Sequence, residues 1–329
     1  RWLHWRHAFG PRMSNPRVQN AKPNESANLG RALGILGDKW SMLILEMMIF
    51  SGPRRFGHFK DRLGMSDPVL SQRLFDLARV GIIERHQYNQ RPPRFEYGLT
   101  TRGRELWTVF VAIWSWEVRW SGADDWTVPQ LIHDRCGQSI SPLFGCMECT
   151  AVGIDYRQTS AQRKPGSRFA DSNPSRRYRR STVDATKQGN ILGGAAIKLL
   201  GDRWSVSVLG AGLLGIHRFG EMQSELGISP SLLNERLRTF VADDVLRRKP
   251  VVEGQRRMEY HLRPKGLDLL PLFATANAWA NGWTLDPDDR DLVITHVVCD
   301  NLLKPAWMCN SCGEWLECGE FHFASARSD

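Results

Sequence analysis

One long pattern occurs twice in this chain of 329 residues, and from Phe56 onward the second occurrence follows the first at an offset of 163 residues. The matched positions are glycines, leucines and aromatic residues in the same order, among them Phe56-Gly57 with Phe219-Gly220, Arg73-Leu74 with Arg236-Leu237, and Trp116 with Trp279. Earlier in the pattern the offset is 164, so the second copy lacks one residue in the loop between Phe50 and Phe56. Solenoid units are only about 20–50 residues long, so a repeat of this length predicts a duplicated domain.

Each copy contains the pattern of a helix-turn-helix motif. In the first copy, Phe56 to Leu63 predicts a short helix that Gly64 ends. Leu70, Leu74 and Leu77 then follow the i, i+4, i+7 spacing of one buried helix face. Two helices joined by a glycine-containing turn are typical of the motif.

The residues after this motif predict a two-stranded wing. Gly81 breaks the second helix, Ile82-Ile83 opens a strand, and Phe95 to Leu99 forms the return strand. The connection between the strands, Asn89 to Arg94, is polar and basic. The predicted fold is therefore mainly α with small β wings, α+β in class, with two winged helix-turn-helix domains that are each followed by a small Cys-rich module.

Helices also flank the motif. Apolar periodicity predicts helices over Ala27 to Leu36, Lys39 to Phe50 and Arg102 to Trp120. The last of these is rich in aromatic residues, and a small domain rarely buries so many alone. We therefore favour dimer-type packing of this helix over packing on its own domain.

A cysteine-rich module follows each winged domain with the same spacing. Both read His-x2-Cys-x9-Cys-x2-Cys, as His133, Cys136, Cys146 and Cys149 and as His296, Cys299, Cys309 and Cys312. Three thiolates and an imidazole suit tetrahedral zinc, so we expect two structural Zn²⁺ ions, one in each module. A redox-active dithiol and unliganded thiols are the two alternatives. Cys318 has no counterpart in the first module and is interpreted as a bystander.

The charge of the chain suits a polyanionic partner. It has 44 basic and 35 acidic residues, a net charge of +9. Residues 157–188 contain nine basic and two acidic residues and show no apolar periodicity. This composition indicates either a solvated tether or a tether that also contacts DNA phosphates. No apolar run is long enough to span a bilayer and residues 1–10 lack a signal-peptide core, so we expect a cytoplasmic, nucleoid-associated protein.

These features divide the chain into six segments. They are a tail at 1–24, winged helix-turn-helix domain 1 at 25–122, Cys-rich module 1 at 123–156, a basic flexible linker at 157–188, winged helix-turn-helix domain 2 at 189–285, and Cys-rich module 2 at 286–329.

The combined motifs resemble the HxlR family of bacterial winged-helix transcription regulators, in tandem duplication. They are Leu36-Gly37-Asp38-Lys39-Trp40, Leu70-Ser71-Gln72-Arg73-Leu74 and Tyr97-Gly98-Leu99-Thr100, and in the second copy Leu200-Gly201-Asp202-Arg203-Trp204 and Leu233-Asn234-Glu235-Arg236-Leu237. The resemblance implies a DNA-binding regulator whose functional unit is a dimer paired through its first and last helices. Many members carry a sensing cysteine just before the first helix, and residues 26–31 and 190–194 contain none.

Helix-turn-helix proteins read base edges with the N-terminal part of the second helix. Gln72 can pair with adenine, Ser71 with several partners, and Val69 with a thymine methyl group. Arg73 and Arg236 lie near the buried stripe, which favours a structural or phosphate role, and wing arginines suit phosphates or the minor groove. The predicted DNA-contacting set is Pro68, Val69, Ser71, Gln72, Arg73, Arg91 and Arg94 in the first copy, and Ser231, Leu232, Asn234, Glu235, Arg236, Arg256 and Arg257 in the second.

The leading hypothesis is a sequence-specific, non-enzymatic transcription regulator that binds double-stranded DNA. Duplication would make one chain an internal pseudo-dimer on an imperfect inverted repeat, with further homodimerisation open and the effector not identified. Two alternatives remain at this point, a thiol-disulfide redox protein and a protein-interaction adaptor that use the Cys-rich modules. No membrane partner is expected.

Overall fold

The structure is a computed structural model that describes residues 32, 34, 35, 37–121, 128–164, 194–251, 257–283 and 290–324. The first winged domain follows the predicted order of elements. It comprises α1 (Lys39–Ser51), β1 (Arg54–Arg55), α2 (Phe56–Leu63), α3 (Asp67–Arg79), β2 (Ile83–Gln90), β3 (Pro93–Leu99), α4 (Thr101–Arg104) and α5 (Trp107–Trp120). β1, β3 and β2 form one antiparallel sheet in that order, which is the wing.

The first half continues into short strands, and the second half repeats the order of elements except that an isolated bridge between Arg218 and Glu259 replaces strand β1. The strands are β4 (Gln130–His133), β5 (Gln138–Ile140), β6 (Leu143–Cys146) and β7 (Thr159–Arg163). The second half comprises α6 (Gly194–Leu200), α7 (Arg203–Leu213), α8 (Phe219–Leu226), α9 (Pro230–Ala242), β8 (Leu246–Pro250), β9 (Met258–Leu262), α10 (Pro264–Leu267), α11 (Leu270–Gly282), β10 (Leu292–His296), β11 (Asn301–Leu302), β12 (Pro305–Met308) and β13 (Phe321–Ala324). The predicted fold class, mainly α with small wings, is confirmed. Among the described residues, no helix combines the length and the apolar character needed to cross a bilayer.

The long helix expected over Arg102 to Trp120 is interrupted at residues 105 and 106. There the backbone amide of Leu106 donates to the Gly103 carbonyl, a tighter i to i+3 bond. A Cβ atom at Gly103 would lie 2.1 Å from the Ile82 carbonyl oxygen, so the first turn packs directly against the backbone at the start of β2. Because of this break, the first turn packs on the sheet and the aromatic helix α5 runs in a different direction.

The two halves pack through equivalent helices, α5 and α11. The indole of Trp116 donates to the Lys265 carbonyl at 2.8 Å, and the indole of Trp279 donates to the Arg102 carbonyl at 2.8 Å. Since Trp279 repeats Trp116 and Lys265 repeats Arg102, these two hydrogen bonds are the same contact made in both directions. Such reciprocity is the signature of a twofold interface.

Two further features of this interface follow the same symmetry. Trp120 donates to the Asp268 carboxylate at 3.0 Å, and Trp283 donates to the Glu105 carboxylate at 2.8 Å. Near the start of α1 and α7, the backbones of the two halves also form an antiparallel bridge between equivalent aspartates, Asp38 and Asp202. The pseudo-twofold relation therefore extends from the last helices to the first ones.

One contact between the halves has no equivalent at the symmetry-related position. The buried Glu117 carboxylate accepts a hydrogen bond of 2.6 Å from the Ala196 amide of α6, and burial raises the pKa of this carboxyl. The equivalent of Glu117 in the second half is Ala280, which has no carboxylate. The duplicated halves have therefore diverged inside their shared interface.

The two Cys-rich modules interlock instead of folding separately. β13 from the end of the chain pairs with β4 of the first module, and β12 pairs with β6. In return β7, which follows the first module, pairs with β10 of the second. Each module is thus completed by strands from the other half of the chain.

This exchange corrects the expected linker at 157–188. Residues 159–163, placed in that linker by their polarity, form strand β7 and lie in register with residues 292–296. The strand forms because a 3-10 turn capped by the Asp155 side chain directs the chain along β10. Lys164 is the last described residue before 194, and the rest of the predicted linker lies outside the described residues, as does the tail at 1–24.

Candidate nucleic-acid interface and candidate metal centres

The recognition helix α3 is held in place by its apolar face. Leu70, Leu74 and Leu77 are all buried, as the stripe predicts. Gly64 ends α2 with a positive φ of 61°, a conformation that glycine adopts without strain, and its equivalent Gly227 repeats this angle. Both motifs therefore have the same turn.

The opposite face of α3 presents most of the predicted base-reading residues to solvent. Pro68 and Ser71 are exposed, and Val69 and Gln72 are half-buried. The Gln72 amide donates to the Asp76 carboxylate one turn along the helix at 3.1 Å. The Gln72 side chain is therefore oriented before any contact with DNA. To contact a base, its amide must give up the hydrogen bond to Asp76.

Phe75 lies on the same face and was not in the predicted set. Its side chain is 62% exposed, the most exposed large aromatic residue among those described in the motif. The signal was available in the sequence, because an aromatic residue three positions after Gln72 lies on the same helix face.

The recognition helix of the second half, α9, differs in charge at the equivalent face. Ser231 and Glu235 are exposed, while Leu232 and Asn234 are half-buried. The Glu235 carboxylate lies 3.6 Å from the Arg236 guanidinium. An exposed carboxylate therefore stands where the first half presents the Gln72 amide.

Arg73 is positioned to organise the motif. Its Nε lies 2.7 Å from Asp38 Oδ2 and its Nη2 donates to Asp38 Oδ1 at 2.8 Å. Asp38 also caps α1 by accepting from the Ser41 amide at 2.9 Å. Because the Arg73 side chain is only 5% exposed, we assign it to the structural role and remove it from the set of DNA contacts.

Arg236 repeats this arrangement in a looser form. Its Nε lies 3.4 Å from Asp202, and the two side chains are 15% and 35% exposed. Asp202 caps α7 through the amides of Trp204 and Ser205. In both halves the N-cap of the first helix is therefore joined to the recognition helix, and Arg236 is likewise assigned to a structural role.

The wing of the first half carries exposed cations at its tip. Arg91 is exposed in the connection between β2 and β3, and Arg94 is exposed at the start of β3, where a wing can reach a DNA backbone. The guanidinium of Arg85 lies 3.4 Å from the ring centre of Phe95 on the adjacent strand, which stiffens the wing. In the second half Arg257 is exposed, and Arg256 lies outside the described residues.

All eight predicted metal ligands form two clusters, but the grouping differs from the expectation of one site per module. His133 and Cys136 come together with Cys309 and Cys312, and Cys146 and Cys149 come together with His296 and Cys299. Within each cluster the ligand atoms lie within 4.8 Å of one another. The prediction of a self-contained site in each module is wrong, because the strand exchange brings half of each module against half of the other.

The separations within the clusters fit a tetrahedral ion. In the first cluster, His133 Nδ1 lies 3.4 Å from the sulfurs of both Cys136 and Cys312, and the Cys136 and Cys309 sulfurs are 3.9 Å apart. A tetrahedron with zinc bond lengths of about 2.3 Å to sulfur and about 2.05 Å to nitrogen has edges of about 3.6 Å (S to N) and about 3.8 Å (S to S). The spacing therefore leaves room for one ion of this size.

The second cluster has matching dimensions. His296 Nδ1 lies 3.3 Å from the sulfurs of both Cys149 and Cys299. His133 and His296 are fully buried, and the Nε2 atom of each has no hydrogen-bond partner among the described residues. Both imidazoles therefore direct Nδ1 into a cluster of sulfurs.

The backbone around Cys309 favours a thiolate. Burial raises the pKa of this thiol, but hydrogen bonds from the amides of Cys312 and Ser311, each 3.4 Å from the sulfur, together with the side chains of Cys312 and Cys136, lower the pKa overall. Amides that point at a Cys-x2-Cys sulfur stabilise the charge that a metal ligand must carry.

The two N-cap aspartates generate a stability prediction. Asp38→Ala leaves Arg73 without its main carboxylate partner and removes a helix cap, so we expect a loss of about 3 kcal/mol in the free energy of unfolding. Asp202→Ala is the matched control and should cost about 1–2 kcal/mol, because Arg236 and Asp202 are more exposed. Urea denaturation measures both values, and equal losses would contradict the structural assignment of Arg73.

Comparisons with known proteins find relatives of both halves of the chain. A family model described as "HxlR-like helix-turn-helix" matches residues 35–125 and 199–288. An uncharacterised HTH-type transcriptional regulator of Mycobacterium tuberculosis is 35% identical over 142 residues, which cover 43% of this chain and 89% of the relative. A regulator of the same description from Synechocystis is 46% identical over 80 residues, 24% of this chain and 58% of the relative. Among solved structures, diamide-treated YodB from B. subtilis is 29% identical, with 28% of this chain and 91% of that chain covered and a TM-score of 0.25.

Proposed function

The chain belongs to the HxlR-like helix-turn-helix family, and from this premise we propose that it binds an imperfect inverted repeat in DNA as an internal pseudo-dimer. Its curated relatives are HTH-type transcriptional regulators, and the chain is a DNA-binding regulator of that kind and not an enzyme. The partner is double-stranded DNA, and the chain would act on chromosomal DNA in the cytoplasm.

The reciprocal tryptophan contacts carry this proposal. Trp116 and Trp279 make the same hydrogen bond in opposite directions, as the two subunits of a homodimer would. The bridge between Asp38 and Asp202 adds a second symmetric contact, close to the residues that anchor the recognition helices. A twofold arrangement of two helix-turn-helix units is the geometry that matches an inverted repeat.

The difference between the recognition helices makes the expected operator asymmetric. Gln72 can both donate to and accept from an adenine edge, whereas the Glu235 carboxylate can only accept, as from a cytosine amino group. Glu235 also repels phosphate, and it is exposed at the face where DNA would bind. The half-site under the first copy should therefore be the better defined one.

Contacts to the DNA backbone are assigned to the wings. Arg91, Arg94 and Arg257 are exposed cations of the kind that neutralise phosphates without reading sequence. Arg256 stays in the proposed set by its sequence position alone. Pro68, Val69 and Ser71, with Ser231, Leu232 and Asn234, complete the base-facing groups of the two helices.

Each Cys/His cluster is proposed to hold one structural Zn²⁺ ion. Three sulfurs and one imidazole nitrogen at tetrahedral spacing suit zinc, and four protein ligands leave no open position for a substrate. Because each cluster takes two ligands from each half, a bound ion would cross-link the halves. The ions would fix the relative position of the two DNA-binding domains.

Because each cluster combines residues from both halves, the number of zinc ions lost on substitution can be predicted for each pair of cysteines. Wild-type protein purified without chelator should contain about two zinc ions per chain by elemental analysis. Cys146→Ser with Cys299→Ser alters a single cluster and should remove one ion, because both residues belong to it. The matched pair, Cys136→Ser with Cys146→Ser, alters both clusters and should remove both ions.

Two results would contradict this assignment. If each module held its own ion, the first pair of substitutions would remove both ions and the second pair only one. Protein without zinc would instead favour free thiols.

The operator is tested by selecting bound fragments from random duplex DNA. We expect an imperfect inverted repeat, and Gln72→Ala should cost about 1–3 kcal/mol and relax the preference at one base pair. Arg91→Ala is the control, which should weaken all sequences alike and flatten the salt dependence. A perfect palindrome, with Gln72→Ala and Glu235→Ala equally harmful, would show that the asymmetry is wrong.

A further inference from the structure

A cleft of about 340 Å³ lies between the second winged domain and the interlocked strands. The winged domain contributes α7, β9 and α11, and the opposite wall comes from β7 and β10. Known small-molecule sites have volumes of roughly 300–1,000 Å³. A space of this size beside the core therefore calls for an explanation.

The equivalent space in the first half is filled with aromatic rings. Phe50 contacts Phe323 at a centroid distance of 4.7 Å and Phe321 at 6.3 Å, and Trp107 contacts Phe321 at 5.4 Å. Met48, on the same helix as Phe50, is also buried. Among the described residues, the first half thus fills this position between its winged domain and the strands with packed aromatic rings.

Smaller residues open the cleft in the second half. The strand register defines the match, because Phe321 lies opposite His133 just as Thr159 lies opposite the equivalent His296. The replacements from the first half to the second are Phe321 to Thr159, Phe323 to Ala161, Met48 to Gly212, Phe50 to Leu214 and Trp107 to Leu270. All five second-half residues line the cleft. Each of these five positions carries a smaller side chain in the second half, so the cleft coincides with a specific difference between the copies.

Polar groups converge at one side of the cleft. Arg247 and His261 are opposite each other on β8 and β9, so their side chains share one face of that sheet. The rings of His217 and His261 stack with centroids 4.2 Å apart, and His261 Nε2 lies 3.0 Å from the Glu259 carboxylate. Burial, followed by the neighbouring His261, lowers the pKa of His217, which is therefore neutral at pH 7.

Of these groups, Arg247 is the one that a ligand in the cleft can reach directly. The Nδ1 atom of His217 is buried and has no hydrogen-bond partner among the described residues. Arg247 is an exposed cation at the edge of the cleft, with no ion pair to any described carboxylate. An apolar space with an exposed cation at its edge is complementary to an apolar molecule with an acidic end.

We propose that this cleft is a binding site for a small organic acid with an apolar, ring-sized body. Its carboxylate pairs with Arg247 and lies beside His217, and its body fills the space that Phe321 and Phe323 fill in the first half. The site is formed jointly by the second winged domain and the strands that join the two halves. Binding there does not depend on the proposed operator, and it is measured without DNA.

Calorimetric titration of the metal-replete full chain tests the proposal with benzoate, octanoate and 2-naphthoate, and with 2-naphthamide as a neutral analogue. At least one of the acids should bind with a stoichiometry of one per chain. Ala161→Phe restores the ring present in the first half and should abolish that binding. Gln162→Phe is the matched control, because the adjacent side chain points to the other face of β7, and it should leave binding unchanged.

The charge is tested separately with Arg247→Gln, an exposed substitution that leaves the fold intact. It should weaken acid binding about tenfold or more, as expected for a hydrogen bond to a charged group, and leave the affinity for 2-naphthamide unchanged. Failure of all three acids to bind the wild-type chain would overturn the proposal. Binding that survives both Ala161→Phe and Arg247→Gln would overturn it as well, since the acid would then lie elsewhere.

Discussion

The exchange of strands between the two halves is the constraint on which the other features depend. β13 completes the sheet of β4, β7 completes the sheet of β10, and β6 pairs with β12 across the chain. These pairings bring two ligands from each half into each Cys/His cluster. They also set the wall of the cleft against the second winged domain. Neither half contains a complete cluster or a complete set of sheets without the other.

Duplication within one chain has allowed the two halves to diverge. In a homodimer, a substitution in one recognition helix appears in both, whereas here Gln72 and Glu235 occupy equivalent positions independently. The same holds for Glu117 with its equivalent Ala280, and for the aromatic cluster around Phe50 with the cleft around Leu214. A symmetric frame thus carries one half with packed aromatic rings and the Gln72 amide on its recognition helix, and another with an open cleft and the Glu235 carboxylate at the equivalent position.

Local patterns predicted the parts of the fold that local interactions determine. The stripe of Leu70, Leu74 and Leu77 specified a recognition helix because only one helix face can be buried. Gly64 and the alternation after Gly81 specified the turn and the wing. The eight residues of the two Cys/His clusters were also singled out, because their spacing is identical in both modules.

The grouping of those ligands could not be read from the sequence. Both modules have the same spacing, so a site within a module and a site shared between modules are equally compatible with it. Strand β7 was missed because a two-sided polar strand gives no alternation of apolar residues. The role of Arg73 required its distance to Asp38, and the cleft required knowing which side chains face Thr159 and Ala161 across the sheet.

We expect the exchanged strands to hold the two recognition helices at one fixed separation. Double electron–electron resonance between spin labels introduced through unnatural amino acids at Phe75 and at Arg238, the equivalent exposed position of α9, measures that separation without using the cysteines. We expect a single narrow distance distribution in the absence of DNA, unchanged when DNA is added. A broad distribution that narrows only on DNA would show two independently tethered domains and would contradict the account.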